Sequence, residues 1–221
     1  MSSIVDLSHR ITDGLITYPG LPGPVISDHL GREASRALYA PGYEFQIGRI
    51  EMVSNTGTYL DTPFHRFADG HDLAGLDLAR VSNVPGVLVE SGDELEAAGS
   101  LLDAVDVGGR AVLFQTGWDR HWGTDAYGNP AHPYLGADVV ERLVVGGAAV
   151  VGIDSVNIDD TRTGARPVHT ALLGAGIPIV EHLRGLDRLR GATFTFSAVP
   201  PAVVGMGTFP VRALATITSG A

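Results

Sequence analysis

Two side chains able to hold a cation or move a proton, Asp61 and His65, stand four residues apart in the run Asn55-Thr56-Gly57-Thr58-Tyr59-Leu60-Asp61-Thr62-Pro63-Phe64-His65. The carboxylate offers hard oxygen donors. The imidazole offers a nitrogen whose proton affinity lies near neutrality, about 6.5 in model peptides. Together they suit metal binding or general acid–base work. Two further candidates lie far along the chain: His169, inside the apolar turn Val168-His169-Thr170-Ala171-Leu172-Leu173, and Glu181, at the end of Ile177-Pro178-Ile179-Val180-Glu181. Alternation along a strand puts Ile177, Ile179 and Glu181 on one face, where a carboxylate needs a partner, a cation or exposure at the strand end. Taken singly, Glu181 reads as a solvated strand terminus and His169 as a hydrogen-bonded core histidine.

The elements that must position these groups are legible in part. Apolar residues between Tyr43 and Val53, interrupted near Gly48, predict a bent strand that delivers the chain to the Asn55 run. Asp61 or Thr62 can cap a short helix with Pro63 at its first position, carrying Phe64, His65 and Phe67 before Gly70 ends it. Apolar strands are expected at 86–90, 111–115 and 148–154, and helices at 136–145 and 168–173. Strand 177–181 follows, then strands 192–198 and 211–217. Upstream, Tyr18-Pro19-Gly20-Leu21-Pro22-Gly23-Pro24 is fixed by proline and glycine chemistry and cannot be a helix; it is either a surface connection or a stiff pocket wall. The pattern is an α/β chain, read as a single domain over 1–221.

Composition narrows the function classes. With 221 residues and 44% hydrophobic content the chain can bury a substantial core. It has no cysteine, so disulfides, thiolate metal sites and cysteine nucleophiles are excluded, and any metal must use histidine or oxygen donors. A formal charge of -10 without a Lys/Arg run argues against nucleic acid and favours a small neutral or apolar partner. No segment has the length and apolarity to span a bilayer and no secretory signal is evident, so a cytoplasmic location is expected. Neither a Gly-x-Ser-x-Gly elbow nor a Gly-x-x-x-x-Gly-Lys loop is present.

The Asn55 run resembles the signature of the cyclase family, which includes bacterial kynurenine formamidases and isatin hydrolases and is written H-x-G-T-H-x-D-x-P-x-H. Gly57, Thr58, Asp61, Pro63 and His65 match, whereas Asn55 and Tyr59 stand where the family has two histidines. The family also has a His and a Glu at the separation of His169 and Glu181, followed by a pattern like Glu181-His182-Leu183-Arg184-Gly185-Leu186. The resemblance implies a swivelling β/β/α arrangement with a mixed central sheet flanked by helices, and a homo-oligomer. It implies that Asp61, His169 and Glu181 form the second of two metal sites, that His65 is the proton donor and acceptor, and that the first site is lost or greatly weakened, with Asn55 and Tyr59 as weak oxygen donors at most. One divalent ion per chain, zinc or manganese, is therefore expected.

By the same resemblance, Tyr18 corresponds to a position where an aromatic side chain meets substrate, and Phe64 and Trp118 could add a flat apolar wall. Asp154 and Ser155 match an Asp-Ser pair at a strand end and are expected to support the site through hydrogen bonds. The leading expectation is a metal-dependent hydrolase of a C–N bond in an aryl formamide, small amide or lactam, with N-formylkynurenine as the named example and an aromatic small molecule as the partner. Two alternatives stay open: metal-independent acid–base chemistry (a lyase, isomerase or cyclase) run by His65 with Tyr59 and Asp61, and a noncatalytic small-molecule binding or scaffold protein that kept the fold.

Overall fold

A computed structural model describes residues 3–92, 96–97 and 99–218. Its strands, in chain order, are β1 (Ser3–Asp6), β2 (Val25–Leu30), β3 (Ile47–Glu51), β4 (Tyr59–Asp61), β5 (Val84–Glu90), β6 (Glu96–Ala97), β7 (Ala111–Gln115), β8 (Tyr134–Leu135), β9 (Val150–Ile153), β10 (Ile179–Glu181), β11 (Phe194–Ser197), β12 (Thr208–Pro210) and β13 (Leu214–Ile217). The α-helices are α1 (Arg32–Ser35), α2 (Ala137–Gly146) and α3 (Pro167–Gly174). Nine strands form one mixed sheet in the order β1-β13-β11-β5-β7-β9-β10-β4-β12. Its middle, β5-β7-β9-β10, is parallel, and both flanks are antiparallel. β7 and β9 are buried on both faces, which is why they read as unbroken apolar runs in the sequence.

Alternation along these strands divides the core. Val112, Phe114, Val151, Ile153 and Ile179 face α2 and α3 with Val139, Leu143 and Leu172. Leu113, Val150, Leu60 and Val180 face the other way, against Leu183, Leu186 and Phe196. Both longer helices therefore cover one face of the mixed central sheet, in keeping with the expected α/β arrangement. The second face is closed by the 3-10 turn Leu186–Leu189 and by neighbouring loops.

The predicted strand over 43–53 narrows to β3, which pairs with β2 in a two-stranded sheet. All five residues of β3 are exposed, so this apolar run is an outlying ribbon and not core. The expected turn of helix after Asp61 is a 3-10 turn, Pro63–His65, with Thr62 preceding it and Pro63 at its first position. Its tight seating requires Gly207: a Cβ there would lie 2.2 Å from the backbone nitrogen of His65. Among the described residues no helix is long and apolar enough to cross a membrane.

Candidate metal centre

Sheet register assembles the site. On β4, Tyr59 and Asp61 point to the same face, and Leu60 to the other. Antiparallel pairing sets Glu181 of β10 opposite Tyr59, and Thr208 of β12 opposite Asp61. Four polar side chains thus converge on one patch of a sheet that is otherwise apolar. α3 adds His169 to this patch, and the 3-10 turn adds His65.

The side chains of Asp61, Glu181 and His169 are 0%, 1% and 7% exposed. The burial of Glu181 removes the solvated-terminus alternative. His169 Nε2 lies 3.7 Å from Asp61 Oδ2 and 3.7 Å from Glu181 Oε1. Donors about 2.0–2.2 Å from a tetrahedral ion are about 3.3–3.6 Å from one another, so these separations are those of ligands around a cation rather than of direct hydrogen bonds. Asp61 Oδ2 is buried without a hydrogen-bond partner among the described residues. An orphaned carboxylate oxygen facing an imidazole nitrogen and a second carboxylate fits a divalent ion. Two carboxylates and one imidazole form a hard donor set that suits zinc or manganese.

Asp61, His65 and His169 also offer ligand atoms all within 4.8 Å of one another. His65 Nδ1, however, is 2.8 Å from Thr208 Oγ1, and the Thr208 hydroxyl donates to Asp61 Oδ1. With its proton committed there, Thr208 accepts from His65 Nδ1–H. The free lone pair of His65 is then on Nε2. The His65 side chain is 36% exposed, unlike the three buried groups, so it can exchange protons with the cleft.

Charge in the buried triad is unbalanced without a cation. Burial alone would lower the His169 imidazole, but Glu181, Asp159 and Asp61 more than reverse this and lift it to about 10. At Asp61 burial pushes upward and is outweighed by His169, His65 and Thr208, leaving the carboxyl below its ordinary value. At Glu181 burial dominates and raises the carboxyl. The patch therefore holds positive charge, as a proton on His169 in the bare protein; a metal would displace that proton.

Besides Thr208, supporting residues around Asp159 and His182 were missed in the sequence. Asp159, fully buried, accepts from the backbone N–H groups of Val168 at 2.7 Å and His169 at 3.0 Å, and lies 2.6 Å from His169 Nδ1. It holds the start of α3 and fixes His169 with Nε2 toward Asp61 and Glu181, as second carboxylates do behind metal-binding histidines. It stands ten residues before His169, so no local capping spacing announces it. Asp159→Asn is expected to weaken metal affinity about 10–100-fold and to lower stability by about 1–3 kcal/mol through an amide turned toward N–H donors. Metal titration and thermal unfolding read the two effects separately; full affinity in the variant would remove the orienting role.

His182, fully buried, adjoins Glu181 at the end of β10. The Tyr59 hydroxyl donates to Glu181 Oε2 at 2.7 Å and lies 3.2 Å from His182 Nε2, and His182 Nδ1 lies 2.7 Å from the Tyr127 hydroxyl. One proton arrangement satisfies all three contacts: Tyr127 donates to Nδ1, Nε2–H donates to Tyr59, and Tyr59 donates to Glu181. Tyr59 is thereby a hydrogen-bond donor to the buried carboxylate that faces His169. Its own ionisation is pushed well upward, first by burial and then by Glu181 and Asp61.

The arrangement needs neutral His182, and burial, with His9 adding to it, drives its imidazole down to about 3. His9 is driven to about 3 as well, first by burial and then by Arg184. The unfolded chain binds these protons near pH 6.5 and the folded chain does not, so each of the two imidazoles lowers stability by about 1.4 kcal/mol per unit as pH drops from about 6.5 towards 3. Burial raises the Glu181 and Asp154 carboxyls to about 7 and about 6, and these oppose that slope. The difference between wild type and His9→Gln in urea unfolding isolates one imidazole: the variant is expected to lose about 1.4 kcal/mol per unit less between pH 6.5 and 4.5, and equal slopes in the two proteins would contradict the neutral assignment.

Other expected site residues scatter. Tyr18, Asn55, Tyr59, His65, His169 and Glu181 line one cleft of about 440 Å³. Trp118 and Phe64 are not among its lining residues. Trp118 is held by its indole N–H on the Tyr127 carbonyl at 3.0 Å and packs edge-on against His121. Asp154 accepts from the N–H groups of Thr116 and Gly117 and from the Thr116 hydroxyl, and Ser155 contacts buried His132. Both anchor the loops after β7 and β9.

Comparison with known proteins bears on the family and the fold. The family model described as putative cyclase matches residues 5–160. A kynurenine formamidase of Geobacillus thermodenitrificans is 26% identical over 214 residues, covering 96% of this chain and 97% of its own. One from Sphingopyxis alaskensis is 26% identical over 219 residues, covering 97% and 98%. In fold, isatin hydrolase A of Ralstonia solanacearum superposes with a TM-score of 0.82 at 21% identity, covering 98% of this chain and 92% of that one.

Proposed function

The chain belongs to the putative cyclase family, and from that premise we propose that it is a metal-dependent hydrolase acting on the C–N bond of an aryl formamide, small amide or lactam. The observation that carries the proposal is the orphaned, buried Asp61 Oδ2, set with Glu181 Oε1 around His169 Nε2. Asp61, His169 and Glu181 would hold one divalent ion, which when bound supplies polarisation of the substrate carbonyl and acidification of water. Asp159 aims His169, and Tyr59 and the Ile158 N–H, at 2.7 Å each, hold the two oxygens of Glu181.

His65 does the proton work. Its Nδ1 is fixed on Thr208, so Nε2 is the base that takes a proton from the attacking water and returns it to the departing nitrogen. Breaking the C–N bond consumes one water and leaves a carboxylic acid and an amine; the acid then releases its remaining proton to solvent, so each turnover yields a carboxylate, an amine and one proton. Tyr59 is committed to Glu181 and Asn55 brings no imidazole, so no second ion is expected at the family's first site.

Tag-free protein assayed on N-formylkynurenine and isatin, before and after chelation and after adding back zinc or manganese, tests the proposal. Turnover that disappears on chelation and returns with one metal supports it. Turnover persisting in metal-free protein would replace it with acid–base catalysis by His65, and binding of aryl ligands without any turnover would leave a binding protein.

A further inference from the structure

The cleft that holds the carboxylates also carries two guanidinium groups, Arg66 and Arg166, among its lining residues. Each is anchored through one nitrogen. Arg66 donates from Nε to Thr170 Oγ1 at 3.2 Å, and its guanidinium carbon lies 5.3 Å from the centroid of the Phe67 ring. Arg166, half-buried at the start of α3, places Nη1 on the carbonyls of Ala165 at 2.7 Å and Thr163 at 2.8 Å. Thr170 links the two, because the hydroxyl that receives Arg66 donates to the Arg166 carbonyl at 2.7 Å.

Fixed in this way, the arginines keep N–H donors that take no protein partner among the described residues. Among the described residues neither has a carboxylate within ion-pairing distance, whereas Arg36, Arg142, Arg162, Arg190 and Arg212 all do. Pre-anchored guanidinium groups lose little freedom on meeting a planar anion, and a concave site concentrates their field. The net charge of -10 describes the whole surface and not this wall of the cleft.

We propose that the substrate carries an anionic group, a carboxylate, received by Arg66 and Arg166 while its amide or formamide lies at His65 and the buried triad. The inference rests on the hydrolase reading of the same cleft and deepens it: of two C–N substrates of equal shape, the carboxylate is the one bound. Arg66 and Arg166 are specificity-determining residues in this account and take no part in the proton transfers.

The test uses an isosteric pair, 2-formamidobenzoate and its neutral carboxamide, with metal-loaded wild type and Arg66→Gln. Arg66 is exposed, so its loss leaves folding intact, while Arg166→Lys serves as a second variant that keeps the charge but loses the fork. A carboxylate can also ligate a metal, so the preference ratio in the variant decides, not the ratio in wild type alone. The ratio of kcat/KM, carboxylate over carboxamide, is expected to exceed tenfold in wild type and to fall about tenfold in Arg66→Gln, with the change in KM. A ratio near one in wild type, or one that Arg66→Gln leaves in place, overturns the proposal. If neither compound is hydrolysed, calorimetry with benzoate and benzamide separates the two ideas. Benzoate binding that weakens about tenfold in Arg66→Gln keeps the anion site and removes the hydrolase, and binding indifferent to Arg66 removes the anion site.

Discussion

Glu181→Gln is expected to bind its divalent ion at least a hundredfold more weakly, since loss of a direct ligand exceeds the about 10–100-fold cost of losing an orienting partner, and to lose turnover in parallel. The substitution is nearly isosteric, and the side chain is 1% exposed, so packing changes little. Chemistry changes more. Oε1 faces His169 Nε2 at 3.7 Å and accepts from Ile158 N–H, and Oε2 accepts from Tyr59. An amide can serve only one of these donors as an acceptor and must turn its own N–H groups toward the other, while the negative charge that offsets the ion is gone. Equilibrium dialysis with zinc and manganese, beside circular dichroism to confirm folding, checks the outcome. Wild-type affinity in a folded variant would exclude Glu181 from the centre.

His65→Gln is expected to lower kcat/KM by about 10² to 10⁴ while leaving metal content unaltered. The split between the two readouts is the informative part. Asp61, His65 and His169 lie close enough to share one ion, so a ligand and a base at position 65 predict different results. The Thr208 contact favours the base, because it occupies Nδ1 and leaves Nε2 toward a cleft to which this side chain, alone of the four, is open. Loss of the ion together with activity would instead make His65 a fourth ligand.

Much of the sheet's centre could be read from residues alone, because strands buried on both faces must be apolar throughout, as Ala111–Gln115 and Val150–Ile153 are. The helices at 137–146 and 167–174 fall within two residues of expectation, since each has a glycine at or just past its end. The strands that build the site were not legible. β4 and β12 are three residues each, one ending in proline, and only their pairing makes them strands. The same limit hid Thr208, which meets Asp61 across β4 and β12 at a sequence distance of 147.

Glu181 shows the limit from the other side. A carboxylate at a strand end is ordinarily solvated, and only the insertion of β10 between β9 and β4 buries it. The exposed ribbon β2–β3 shows the reverse, since its apolar residues look like core and are not. Tyr59 was recognisable as a departure from the family pattern, but its role as a donor to Glu181 needed the register between β4 and β10.

The central claim is that this chain keeps one metal centre, built on Asp61, His169 and Glu181, and has replaced the other with a hydrogen-bonding tyrosine. Elemental analysis of untagged protein purified without chelators measures it directly. The account predicts about one zinc or manganese ion per chain in the wild type, lost in Glu181→Gln and unchanged in Tyr59→Phe. Two ions per chain, or none after incubation with excess metal, would contradict it.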